Sequence, residues 1–69
     1  MSLHSRILAA HDAADLISLI GLYTQAADQA SDLDEACFFL THAYVYALEL
    51  GDPRAAGLHA RLRSEGREA

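Results

Sequence analysis

Apolar residues along this chain recur at three- and four-residue steps in four blocks. Leu3, Ile7 and Ala10 fall along one side of a helix over 3–10, with Ser2 placed to cap it. Leu16, Leu19, Ile20, Tyr23, Ala27 and Ala30 repeat with the period of one buried helical face and predict a second helix over 13–30. Ile17 and Leu22 widen that stripe, while Asp15, Ser18, Gln25 and Asp28 fall outside it. His11-Asp12 reads as the break between these helices, with Asp12 as the N-cap and Asp15 near the positive end of the new helix dipole. Gly21, inside the second helix, costs about 1 kcal/mol relative to alanine and predicts a close crossing with another helix.

The third block is the most apolar. Ser31-Asp32-Leu33-Asp34-Glu35 opens a helix over 33–50, with Asp32 and Glu35 spaced for reciprocal capping and Ser31 as the alternative cap. Within it, Ala36–Leu50 (ACFFLTHAYVYALEL) carries both phenylalanines, two of the three tyrosines and the one cysteine, but a single charge, Glu49. One face holds Ala36, Leu40, Ala43, Ala47 and Leu50, and a second holds Phe39, His42 and Tyr46. Cys37, Tyr44 and Leu48 form a third, with Phe38 and Val45 beside them. A helix apolar nearly all round is covered on more than one side. Gly51-Asp52-Pro53 then supplies a left-handed terminator, an N-cap and a first helical residue. A fourth helix follows over 53–64, with Ala56, Leu58, Ala60 and Leu62 available for packing and Arg61 and Arg63 near its negative end. Residues 66–69 are expected to fray.

Sixty-nine residues with one proline, four glycines and few β-branched side chains describe a single all-α domain of three to four antiparallel helices. A chain of this size buries only about 60% of the surface its unfolded form exposes. Cys37 is alone, so no internal disulfide helps, and no Cys/His cluster offers structural zinc. Regular helix packing or self-association must therefore supply the stability, and the excess apolar surface of the third helix favours a homodimer. Phe38, Tyr44 and Val45 are the residues expected to meet the second chain.

The net charge of −5 argues against nucleic acid or an anionic membrane as the general partner. The charge is uneven: residues 1–50 hold Arg6 against seven carboxylates, while residues 51–69 hold Arg54, Arg61, Arg63 and Arg67 against three. The absence of lysine beside abundant alanine suggests a GC-rich bacterial source. Met1–Ala10 does not read as a signal peptide, and 36–50 is too short and too polar to be a membrane span, so a cytoplasmic location is expected.

The stretch LTHAYVYALELGDPRAAGLHARL resembles the tetratricopeptide repeat. Leu40, Ala43, Ala47 and Leu50 fall at the packing positions of its first helix, Gly51-Asp52 at its turn, and Ala56 and Ala60 at small positions of its second helix. Leu8-Ala9-Ala10-His11-Asp12 is a fainter echo of Leu48-Glu49-Leu50-Gly51-Asp52, which would make the first two helices a shortened earlier repeat. The departures are Leu40 at the early large position, Tyr44 where glycine or alanine is usual, and no closing proline. The resemblance implies a helical hairpin that holds a partner protein.

No motif points to catalysis or to a cofactor. His4, His11, His42 and His59 form no metal-binding spacing and read as surface or interface histidines. Cys37 reads as a packing residue with no base in view, and Asp32, Asp34 and Glu35 lack the calcium-loop pattern. The expected function is a non-enzymatic protein-interaction module, self-associating and acting on an unknown protein partner. Phe38, Tyr44, Val45, Tyr46, Arg54 and Arg61 are its candidate contact residues. The alternative is a small helix-turn-helix regulator that reads DNA with the Arg-bearing last helix.

Overall fold

The computed structural model of the chain describes residues 2–66, which form four helices and no strand. They are α1 (Leu3–Asp12), α2 (Leu16–Asp28), α3 (Leu33–Leu50) and α4 (Arg54–Ser64). The expected helix over 33–50 is found as drawn. The first runs two residues longer than expected, and the second is confined to 16–28 rather than 13–30. Arg67 and the expected fraying of 67–69 lie outside the described residues.

The shift at the first joint has a clear cause. Asp12 remains the last residue of α1, and Asp15 caps α2, accepting from the Ser18 backbone amide at 3.2 Å and from its hydroxyl at 2.6 Å. Ala14 adopts a left-handed conformation (φ 52°). The Ala14 amide donates to the His11 carbonyl and the Asp15 amide to the Ala10 carbonyl, the paired bonds of a Schellman ending. The joint between α3 and α4 is built the same way. Gly51 is left-handed (φ 64°), its amide donates to the Leu48 carbonyl, and the Asp52 amide donates to the Ala47 carbonyl at 2.8 Å. Asp52 then accepts from the Arg54 amide at 2.8 Å, so it caps α4 across Pro53. The two joints share this geometry, but with Ala14-Asp15 rather than the expected His11-Asp12 in the place of Gly51-Asp52.

Between these joints Ser31-Asp32 turns the chain from α2 into α3. Asp32 accepts from the Glu35 amide at 2.8 Å, as its spacing predicts. Glu35 reaches back one residue further than a reciprocal capping pair, to the Ser31 amide at 3.4 Å. Gly66 is left-handed (φ 72°) after the end of α4, and its amide donates to the Arg63 carbonyl.

Each helix packs on its neighbours in sequence, with α3 between α2 and α4. The larger core cluster joins Ile20 and Ala27 of α2, Cys37, Leu40, Ala43 and Ala47 of α3, and Leu58 and Leu62 of α4. A smaller one joins Ala10 of α1 to Leu19 and Leu22 of α2. Alanine at 43 and 47, both wholly buried, lets the flanking helices close on α3. Three expectations for this core need correction. Gly21 is exposed, and a Cβ there would make only ordinary contact with Arg54, so no close crossing explains it. Leu50 lies exposed beside the turn rather than on the packed face. Ala56 and Ala60, which the tetratricopeptide pattern would place at a helix contact, face solvent, and α4 packs through Ala55, Leu58, His59 and Leu62.

The result is a slab of 32 × 29 × 13 Å. Its accessible surface, 4205 Å², is about what a compact folded monomer of this mass exposes. The apolar side chains that remain outside therefore do not reflect a poorly closed fold.

Two predictions follow from the joints. Ala14→Gly relieves a left-handed alanine and should stabilise the protein by about 0.5–1 kcal/mol, while Gly51→Ala introduces that strain and should cost about 1 kcal/mol. No neighbour lies within 4 Å of a Cβ at Gly51, so backbone strain alone sets that cost. Urea denaturation of both variants checks the opposite signs. Separately, the hydrogen bonds from Ser18 hold the Asp15 carboxyl below the usual carboxylate range, and those from Arg54 do the same for Asp52. Carboxylates depressed in the folded state stabilise it above their unfolded values and lose that contribution as pH falls below about 4. Asp15→Asn and Asp52→Asn keep capping groups but cannot titrate, so each should flatten the fall of the thermal midpoint between pH 5 and 2.

Candidate interaction surface

Burial on the α2 and α4 sides leaves one line of α3 uncovered. Phe38, Thr41, Val45 and Leu48 follow one another at steps of three, four and three, so they share a face. Phe38 is 59% exposed, Val45 45% and Leu48 54%. Thr41 breaks the apolar line only formally, because its hydroxyl donates to the Cys37 carbonyl at 2.8 Å and is taken up within the helix. Other exposed apolar side chains, Ile17, Leu33 and Leu50, fall outside this face.

Beside the stripe lies a groove of about 510 Å³. Leu3, His4, Ile7, Leu8 and His11 of α1 form one wall, Glu35, Phe38, Phe39 and His42 of α3 the other, and Tyr23 and Ala26 of α2 lie between, with Gln29 just beyond that helix. Phe38 and His42 belong to the groove as well as bordering the stripe, their rings 4.5 Å apart between centroids.

The floor of the groove is an aromatic and imidazole assembly centred on Tyr23. Its hydroxyl and His11 Nε2 share a hydrogen bond of 2.9 Å, and the His42 ring stacks on it at 5.0 Å. Phe39 and Tyr46 pack at 6.1 and 6.0 Å. His42 Nδ1 donates to the Phe38 carbonyl at 2.9 Å, which leaves Nε2 as the nitrogen available to a visitor. Burial, assisted by Tyr46, raises the Tyr23 phenol above its ordinary value, so the hydroxyl stays protonated well into alkaline solution.

The structure brings together two of the six candidate contact residues, Phe38 and Val45. Tyr44 is half-buried and stacked on His59 of α4 at 5.4 Å, and Tyr46 is half-buried against Tyr23 and His11. Arg54 binds Asp52 with two hydrogen bonds of 3.0 Å, and Arg61 reaches Asp28 of α2 at 2.7 Å, so both cations are engaged within the chain. Thr41, Leu48, Leu8 and the groove histidines were not singled out as contact residues. The 38/41/45/48 spacing was the available signal for the stripe, and Leu8 between His4 and His11 on α1 was the available signal for the groove wall.

Among the described residues no group of three or more His, Cys, Asp or Glu side chains is placed to hold a metal ion. Cys37 is buried in the main core. No helix among them is long and apolar enough to cross a membrane. Comparison with protein-family models, curated proteins and solved structures finds no match to this chain.

Tyr23 gives the site a spectroscopic signature. Alkaline titration followed by phenolate absorbance should show a step above the ordinary tyrosine range, and Tyr23→Phe should remove it. The same variant leaves His11 without its partner and should cost about 1 kcal/mol of stability.

Proposed function

We propose that this protein is a non-enzymatic interaction module that self-associates through the outer stripe of α3. The observation that carries this reading is the continuous exposed line of Phe38, Thr41, Val45 and Leu48 on a chain whose total accessible surface is that of a compact monomer. Helix recognition uses side chains at such spacing as anchors. Of the expected contact residues, Phe38 and Val45 lie on the stripe, while Tyr44 and Tyr46 pack against His59 and Tyr23 and Arg54 and Arg61 pair with Asp52 and Asp28.

The tetratricopeptide-like reading is supported by the buried Leu40, Ala43 and Ala47 and by the Gly51 turn, and draws no support from the exposed Ala56 and Ala60. The helix-turn-helix alternative has less behind it. Arg54 and Arg61 of its last helix pair with Asp52 and Asp28 within the chain.

Val45→Glu places a charge at the centre of the stripe without touching the core. It should retain the helical circular-dichroism signal, with the folding free energy of the single chain changed by no more than about 0.5 kcal/mol. The measured mass in light scattering should fall from two chains to one. A wild-type protein that remains a single chain at high micromolar concentration would remove the self-association reading.

A further inference from the structure

The groove between α1 and α3 has a shape and a charge that call for a particular occupant. Burying what remains exposed of Phe38, Val45 and Leu48 would remove on the order of 300 Å² from each copy, well short of the roughly 800 Å² per partner of a standard stable interface. A stripe laid only on its own counterpart is therefore too small. The groove is contiguous with the stripe and shares Phe38 with it. In a two-fold pair each copy presents both surfaces, so seating the stripe of one in the groove of the other is satisfied twice.

The charges agree. Glu49 follows Leu48, so the stripe carries a carboxylate at its C-terminal end. The titratable groups of the groove are His4 and His11 from α1, Tyr23 from α2, and Glu35 and His42 from α3. Three imidazoles thus stand against one carboxylate, in a chain whose formal charge is −5.

We infer that the partner in this groove is a second copy of the chain, seated by its α3 stripe, with the Glu49 carboxylate of the stripe beside the groove histidines. The inference rests on the self-association reading and adds to it the docking site and its pH dependence. Imidazole gains charge as pH falls from 8 to 5, so the pair tightens on mild acidification. His42 offers Nε2 to the incoming carboxylate while Nδ1 stays on the Phe38 carbonyl, and His11 keeps Tyr23 as its partner in either charge state.

Sedimentation equilibrium of the full chain at pH 8 and pH 6, at constant ionic strength, tests this. The dimer dissociation constant should fall about 3- to 10-fold at pH 6, the range expected of exposed ion pairs formed twice. His4→Gln together with His42→Gln should abolish most of that change. His4→Gln alone, on an exposed position, should lower it in a protein whose core is untouched. His59→Gln removes an imidazole outside the groove and should leave the change in place. Equal dissociation constants at the two pH values would overturn the inference while leaving self-association intact. So would a loss in His59→Gln as large as that in the groove variants, because general charge neutralisation would then explain the effect. Single chains at both pH values would remove the self-association reading as well.

Discussion

Everything in this fold depends on α3 being held from two sides at once. Ala43 and Ala47 are wholly buried and small enough for α2 and α4 to close on the same helix. Larger side chains there would push the flanking helices apart, and overpacking of this kind typically costs 1–3 kcal/mol. Leu40 and Cys37 continue the contact towards α4, where Leu58 and Leu62 complete it. The core holds no buried polar or charged side chain among the described residues, so burial of apolar surface supplies the cohesion.

A slab organised this way cannot cover its central helix completely. The α2 and α4 sides of α3 are taken, and α1 packs on α2, meeting α3 where His11 lies against Tyr46. What remains is the outward line from Phe38 to Leu48, and next to it the channel that α2 floors between α1 and α3. The same arithmetic of area that makes a 69-residue chain marginal thus leaves it an apolar surface to share. Aromatic packing around Tyr23 stiffens the channel floor, which favours a surface formed before any partner arrives.

Much of this was legible in the sequence because it rests on local chemistry. Asp32 capping α3, Gly51 ending it and Asp52 starting α4 are each fixed by a residue type suited to one backbone conformation. The first joint was misread for the same reason. Ala14 occupies a left-handed position where glycine is usual, so the sequence lacks the local signal and points to Asp12 instead of Asp15. Tertiary choices were harder. Ala56 and Ala60 are as small as Ala43 and Ala47, and only the rotation of α4 against α3 decides which pair is buried. The arginines looked available because their partners, Asp52 and the distant Asp28, follow from turn geometry and from helix packing. The channel joins three helices, and the helical spacing of His4, Leu8 and His11 marks only one of its walls.

On the self-association proposed above, α3 packs its own fold with an inner line and would meet a second chain with its outer line. Isotope-filtered NMR on a mixture of labelled and unlabelled protein addresses this directly, because it detects only contacts between chains. Intermolecular signals from the Val45 and Leu48 methyl groups and the Phe38 ring, with none from Ala43 or Ala47, are the predicted result. A spectrum without intermolecular signals at those outer positions, or with them at Ile17 or Leu50 instead, would contradict the account.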